Sequence, residues 1–373
     1  MKILYYYIDS KEHVSSWPRI HFIDELERAG HVISIFDPYS FSCIDQANEE
    51  LLSLLKENKE KYDLFMNPYG DDLLYIDTIK QIKAYGIPTL LICCDNLHAP
   101  YMHKKIAPYF DLVWLTSFET MPMFNKWGCN CIFLPYAANP YTFQPKFSQE
   151  INAVGFVGTP YGTRTNKINE LLVNNVPCAV YSDELFLKEN ETMNNDVKSF
   201  SKYYLKISKD DLNLIKFPIG RRILWSKALK KVSHQTKLLE KSDCLKIGSS
   251  VPFGLMNQLY SNFSLSLGIT EVWDTYMLKK PVHKIHLRTF EIPMCGGLQF
   301  VPYINELSDY FIDGEEIILY KDEEEYIDKA KYYLKESMRN TRLKMKKRAR
   351  ERAEKEHTWI NRFNKAFELI GLN

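Results

Sequence analysis

This sequence has no long apolar run: nowhere does it approach the ~18 consecutive apolar residues that a membrane-spanning helix requires, so an integral membrane protein is not expected. It also lacks a charge imbalance. Lys plus Arg number 48 against 47 for Asp plus Glu, and a net charge of +1 gives no global reason to expect nucleic acid or another polyanion as partner. Cysteine pairs at metal-ligand spacing are missing as well. The eight cysteines (Cys43, Cys93, Cys94, Cys129, Cys131, Cys178, Cys244 and Cys295) are scattered. Cys129 and Cys131 form C-x-C with no second pair downstream, and Cys93 adjoins Cys94, so no structural zinc site is expected. Several of these thiols lie in strand-like apolar runs, which fits a reducing cytosol. His21, His31, His103, His234 and His357 have no partner at metal-ligand spacing, and His283 with His286 does not make H-E-x-x-H. No metal and no cofactor is expected. No leader is expected either, because Met1-Lys2 runs directly into the strand-like ILYYYI, and the expected location is cytoplasmic, with peripheral contact at the inner face of the membrane as a further possibility.

What the sequence does have is length and rhythm. Its 373 residues exceed the roughly 250–300 at which single cores stop growing, so two domains are expected. Apolar runs of strand length alternate with amphipathic stretches of helical period, the pattern of parallel sheets covered by helices. In the first part these runs are KILYYYI, VISIFDP, DLFMNP, PTLLICC, FDLVWLTS and CIFLPYAANP, with Gly30, Gly86 and Gly128 as helix stops. About six β/α units in some 140 residues make one Rossmann-like domain. A second begins at AVGFVG and continues through CAVYS, CLKIGS, FSLSLGI, LQFVPY and EIILY. The polar segment 139–149, with Pro140 and Pro145, reads as the linker. The expected organisation is an N-terminal domain over 1–145, a C-terminal domain over 146–355, and a closing helix over 356–373 that packs back on the first domain. The basic stretch RNTRLKMKKRARERAEKEH reads as an exposed helix.

Chemistry concentrates in HLRTFEIPMCGGLQF, His286 to Phe300. A loop enters a helix start at Thr289, Glu291 falls in the first turn, and Gly296-Gly297 stops the helix before a strand. Free N–H groups at a helix start, with Arg288 beside them as a bidentate donor, suit a diphosphate. A glutamate on that turn can accept both hydroxyls of a ribose. The plain alternative is a Thr/Glu capping arrangement followed by an ordinary glycine turn. The segment GFVGTPYGTRTNKI supplies a second phosphate-type element. Gly155, Gly158 and Gly162 with Thr159 let backbone approach a ligand, and Arg164 and Lys167 stand one helical turn apart. Two cations at a helix start are unfavourable unless an anion binds there.

In the first domain Asp95 closes the strand PTLLICC, where ligand chemistry in open α/β sheets collects. It reads either as a helix-capping residue or as a general base for an acceptor hydroxyl, with Asn96 and His98 nearby. Asp9, Ser10 and His13, in the loop after the first strand, are further acceptor-binding candidates. FPIGRRILWSKALKK, Phe217 to Lys231, mixes apolar and basic residues. It reads as a peripheral contact with an anionic membrane surface, a solvated helix face or an inter-domain contact.

RTFEIPMCGGLQF, with LYSNFSLSLGI before it and INELSDYF and EHTWINRF after it, resembles the C-terminal domain of the CgeB-like spore-maturation glycosyltransferases, a branch of the group 1 glycosyltransferases. CCDN, FDLVWLTS, KWG and LPYAANPYTFQP resemble their N-terminal half. The resemblance implies an α/β protein of the GT-B fold, two Rossmann-like domains facing a central cleft, and a C-terminal helix returning to the first. It implies transfer of a sugar from a nucleoside-diphosphate donor to a glycan, lipid-linked or protein acceptor, without a metal. Glu291 then matches the glutamate expected on the donor ribose, Arg288, Thr289 and Phe290 its phosphate-side neighbours, and Ser250 and Val251 the loop over the nucleobase. One position departs. Many retaining enzymes of this group carry a further glutamate about eight residues earlier, on the transferred sugar, and here His283 stands in its place. Stereochemistry is therefore left open: Asp95 is the base if the enzyme inverts, and a leaving phosphate oxygen takes the proton if it retains. The same departure supports the alternative of a non-catalytic nucleotide-sugar-binding partner or scaffold.

Overall fold

The computed structural model describes residues 1–9, 17–58, 61–147, 149–160, 162–182, 208–233 and 239–372. Ser10 and His13 lie outside them. The chain divides into two compact units, Met1–Asn139 with His357–Asn373, and Pro140–Glu356.

In unit 1 the described residues form a sheet of six parallel strands in the order β2-β1-β3-β4-β5-β6. These are β1 (Lys2–Tyr6), β2 (Val32–Phe36), β3 (Leu64–Asn67), β4 (Thr89–Cys93), β5 (Leu112–Leu115) and β6 (Cys131–Phe133). The helices between them include α1 (Asp24–Arg28), α2 (Ile44–Asn58), α3 (Ile76–Ala84) and α4 (Met121–Lys126). Strands β3, β4 and β5 are buried along their whole length, as their unbroken apolar runs require of strands covered on both faces. Gly30, Gly86 and Gly128 take φ values of +87°, +80° and +84°, the left-handed turn that releases the chain from one helix into the next strand.

Unit 1 is completed by the C-terminal helix Trp359–Ile370. Thr358 caps it by accepting from Asn361 N, and the Glu25 carboxylate accepts from Ile360 N at 2.9 Å. Trp359 is fully buried, its indole donates to His21 Nδ1 at 2.9 Å, and its ring meets Phe22 at 4.8 Å. Phe363 one turn on packs edge to face on Trp114 at 5.2 Å. Truncating such a side chain removes both transfer energy and packing. Trp359→Ala should destabilise unit 1 by about 3–5 kcal/mol, read as an earlier urea unfolding transition by circular dichroism.

Unit 2 holds the second sheet, again six parallel strands among the described residues, in the order β12-β11-β10-β7-β8-β9. They are β7 (Ile151–Val157), β8 (Cys178–Tyr181), β9 (Leu245–Gly248), β10 (Phe263–Leu267), β11 (Gln299–Pro302) and β12 (Ile318–Tyr320). Its helices include α5 (Thr163–Val173), α6 (Lys209–Leu214), α7 (Pro218–Ser233), α8 (Phe253–Asn262), α9 (Arg288–Met294), α10 (Glu323–Tyr333) and α11 (Arg339–Glu356). Counted from β7, this is the strand order of dinucleotide-binding sheets. The direction of winding reverses between β7 and β10, and ligands of such sheets bind outside the carboxyl ends of the two strands at that reversal.

Helix α11 differs from the sequence expectation. Its basic residues read as solvated, yet Arg342, Lys346 and Arg350, spaced four apart, are all buried. Each meets main-chain acceptors. Arg342 donates to Tyr333 O and Lys335 O and pairs with Glu150 at 2.8 Å, Lys346 donates to Ser261 O at 2.9 Å, and Arg350 donates to Phe143 O, Met294 O and Pro140 O. Ser261 lies in the last turn of α8 and Met294 ends α9, so these cations satisfy carbonyls that helix ends leave without a partner.

Candidate functional site

The site is built from the two loops that leave β7 and β10. At the end of β7 the chain turns at Gly158, whose φ is +134° and whose N–H donates to Tyr181 O at 2.8 Å. A Cβ on Gly158 would lie 2.8 Å from Arg288 Nη2, so the absent side chain is what lets the guanidinium reach the turn. Gly162, at φ +59°, caps α5, and a Cβ there would come within 3.1 Å of Trp273 O. The β7 turn therefore touches the loop that follows β10. Arg164 Nη1 donates to Thr159 O at 3.0 Å and Thr165 Oγ1 to Pro160 O at 3.0 Å, tying the turn to the first turn of α5.

Arg288 opens α9, and its Nε donates to the hydroxyl of Tyr260 on α8 at 3.1 Å. Glu291 lies one turn further and is buried. Burial pushes its carboxyl up from an ordinary 4.5 to about 7, against the pull of Arg288. The helix begins at Arg288, not Thr289, and Leu287 at its N-cap makes no side-chain cap, so the capping alternative is not built here. With seven residues, α9 is too short to persist alone. Its far end is held by Arg350 on Met294 O and by Ser261 Oγ on Cys295 O, and Gly296 at φ +73° ends it.

The site residues expected from sequence separate in three dimensions. Gly158, Thr159, Arg164 and Arg288 come together around the β7 turn, with Glu291 behind Arg288 on the same helix. Thr289 and Phe290 are buried, and the Phe290 ring packs against Tyr310 and Phe311 at 5.3 and 6.2 Å. Lys167 turns along α5 to Glu170 at 3.1 Å and lies over the Tyr326 ring at 4.8 Å. Ser250 is exposed and Val251 half-buried, in the loop between β9 and α8. His283 pairs across an antiparallel bridge with Glu271, and its Nδ1 meets Thr270 Oγ1 at 2.9 Å. Tyr260 and Glu271 escaped the sequence reading. Tyr260 lies within LYSNF, but nothing local marks it as a partner of Arg288.

In unit 1, Asp95 follows β4 with a largely exposed carboxylate, 3.7 Å from His98 Nδ1 and 3.4 Å from the Tyr136 hydroxyl. Asn96 is buried and its amide is engaged internally, donating to Ser117 O and Thr120 Oγ1 and accepting from Thr116 N. Asp9 pairs with Arg19 at 2.6 Å. In the basic segment on α7, Phe217 and Ile223 are buried, Lys227 and Lys230 pair with Asp211 and Asp274 at 3.0 and 2.7 Å, and Trp225 is 60% exposed. Its two buried apolar residues therefore face into unit 2. Among the described residues no helix is long and apolar enough to cross a membrane, and no group of three or more His, Cys, Asp or Glu side chains is placed to hold a metal ion.

Comparison with known proteins agrees with this architecture. A family model described as "Glycosyl transferase-like" matches residues 223–368, a span that includes Arg288 and Glu291. No curated protein sequence matches the chain. Among solved structures, HepE of Anabaena in complex with UDP-glucose is similar at TM-score 0.54 and 11% identity, over 100% of this chain and 99% of that one. Sucrose-phosphate synthase of Thermosynechococcus elongatus is similar at 0.51 and 11%, over 99% and 98%. An α-glucosyltransferase in complex with UDP-glucose and DNA containing an abasic site is similar at 0.57 and 11%, over 100% and 99%. With its two parallel sheets and its C-terminal helix returned to the first unit, the chain has the GT-B fold.

Proposed function

We propose that this protein is a glycosyltransferase whose donor, a nucleoside-diphosphate sugar, is held on unit 2. One observation carries the reading: at the winding reversal of the dinucleotide-type sheet, Arg288 lies over the side-chain-free face of Gly158, with a buried carboxylate, Glu291, one turn along the same helix. A guanidinium beside a glycine turn matches a diphosphate, and a buried acceptor matches a ribose diol. The match of residues 223–368 to a glycosyl transferase-like family and the UDP-glucose complexes of HepE and the α-glucosyltransferase support the same class. The finer assignment to the CgeB-like branch rests on the sequence resemblance around RTFEIPMCGG.

In the reaction, an acceptor hydroxyl oxygen bonds to the anomeric carbon as the bond from that carbon to the β-phosphate oxygen breaks. The products are a glycoside and a nucleoside diphosphate. The hydroxyl proton passes to a base, Asp95 if the configuration inverts, or to the departing phosphate oxygen if it is retained. Arg288 and the Gly158–Gly162 turn with Arg164 stabilise the charge that develops on the diphosphate, so that no metal is needed. The near-neutral chain favours a glycan, lipid-linked or protein hydroxyl over nucleic acid as acceptor. The protein acts in the cytoplasm, with peripheral contact at the inner membrane face through the exposed Trp225, Arg221 and Lys231 of the 217–231 segment.

A thermal-shift and calorimetric screen against UDP, GDP, TDP, CDP and ADP, with and without magnesium, tests the donor assignment. One diphosphate should bind, and its sugar ester should turn over or hydrolyse. No binding by any of them removes the donor site, and binding without turnover of any sugar ester selects the non-catalytic reading. Gly158→Ala serves as a focused probe. Its Cβ displaces the Arg288 guanidinium and strains a φ of +134°, so diphosphate affinity should fall about tenfold in isothermal titration while the circular dichroism spectrum stays unchanged.

A further inference from the structure

The first turn of α11 borders a hollow of about 90 Å³, room for more than a single water. Its polar walls are Arg339, Asn340 and Lys346 of α11, Ser261 at the end of α8, and Gln149 and Glu150 ahead of β7. Neither Arg288 nor Gly158 is among them. Arg339 has a side chain 60% exposed and stands at the rim, whereas Lys346 is 4% exposed and forms the floor. Glu150 is already engaged. Its Oε1 accepts from Arg342 Nε at 2.8 Å and from Ser264 Oγ at 2.9 Å, and its Oε2 faces Arg339 Nε at 3.4 Å. Glu336 meets Arg339 only at 3.6 Å, between two exposed side chains, where water screens the pair. Three cations thus stand around one enclosed carboxylate.

One of the three is incomplete. Arg342 is fully buried, its Nη1 donates to Tyr333 O and Lys335 O, and its Nη2 is shut off from solvent without a hydrogen-bond partner. A guanidinium is flat, and Nε–H and one Nη2–H lie parallel along the same edge. The donor left over therefore points as Nε does, toward the Glu150 wall of the hollow. A buried charged donor without an acceptor is costly. Burial also pushes the Lys346 amine down to about 8, against the attraction of Glu150 and with Arg342 adding to the fall. The hollow is short of negative charge, and it lies at the positive end of an 18-residue helix. A sugar hydroxyl would bring an acceptor but no charge, and a cation would be repelled. An oxyanion brings both, and donors arriving from α11 and from Gln149 suit a tetrahedral group. We infer that this hollow binds one phosphoryl group, as inorganic phosphate or as the head of a phosphate monoester whose remainder leaves past Arg339. The site does not rest on the donor reading above.

Titration calorimetry of the full chain with sulfate, phosphate and glycerol 3-phosphate tests this, with chloride at equal ionic strength as the control. Sulfate and phosphate should bind saturably and raise the melting temperature with the logarithm of their concentration, and chloride should do neither. Arg339→Ala should weaken both about tenfold, and Arg288→Ala should not. A bound anion favours the charged amine of Lys346. Sulfate has no proton of its own to exchange near neutral pH, so in buffers of different ionisation enthalpy it should draw up to about half a proton onto the protein at pH 8 and none at pH 6. Glycerol 3-phosphate separates the two sources: binding as tight as that of phosphate assigns the site to a monoester, and exclusion of the ester assigns it to the free ion. Absence of saturable binding beyond that of chloride overturns the inference. So does binding that Arg339→Ala leaves intact or that Arg288→Ala abolishes, which belongs to another surface or to the β7 turn. Binding without proton uptake at pH 8 overturns it as well, since Lys346 then takes no part.

Discussion

Arg288→Ala is expected to lower the rate of sugar transfer by about 10²–10³-fold, the effect of removing a donor aimed at charge that develops only as the bond breaks. Arg288 is half-buried at the first position of α9, with its Nε fixed by Tyr260 Oη and its Nη2 over Gly158. The diphosphate carries less charge while bonded to the sugar than after it leaves, so binding should suffer less than turnover. Lysine at this position restores a charge without the planar fork, and Arg288→Lys should recover only part of the rate. Tyr260→Phe should cause a smaller loss of the same kind, since it frees the guanidinium without removing it. Transfer or donor hydrolysis under saturating sugar nucleotide measures all three. Normal turnover by Arg288→Ala would remove the phosphate assignment.

The parts legible in the sequence are those in which cause and residue lie close together. Apolar runs of strand length, separated by glycine-stopped helices, specify both parallel sheets, because strands buried on both faces tolerate no polar alternation. RTFE was legible for the same reason: Arg288 and Glu291 are one helical turn apart, and that spacing alone puts them on one side of α9. Distant partners were not. Tyr260 reaches Arg288 from 28 residues away, and Glu271 meets His283 only because Val272 and Val282 close a short ladder.

Charge was the most misleading signal. In RNTRLKMKKRARERAEKEH it reads as solvation, yet Arg342, Lys346 and Arg350 are buried among carbonyl oxygens and Glu150. Helix ends and loops leave those oxygens needing donors, a demand that appears only once α8, α9 and α11 are packed. Burial pushes the Lys346 amine down to about 8, against the attraction of Glu150, which shows how far this position is from a solvated one. The consequence reaches the site, since Arg350 caps the helix that carries Arg288 and Glu291.

Donor binding should depend on pH through Glu291. Burial, opposed by Arg288, raises its pKa from 4.5 to about 7. In the free protein the native state then holds a proton that the unfolded chain releases between those values. This contribution to stability is complete below pH 4.5 and is lost as pH rises through 7. Ligand binding has the opposite sign. A ribose diol donates two hydrogen bonds, which a carboxylate accepts more fully than a carboxylic acid does, so binding favours the ionised form and expels the proton. Affinity for the nucleoside diphosphate should therefore rise with pH up to about 7, by no more than about tenfold per unit, and level off above it. Titration calorimetry in buffers of different ionisation enthalpy should detect the released proton at pH 6 and lose it at pH 8. Glu291→Gln should abolish both the proton release and the slope, and weaken binding at pH 8 by about tenfold or more. Donor affinity unchanged in Glu291→Ala, or a slope that survives in Glu291→Gln, would take the ribose away from this residue and place it elsewhere on unit 2.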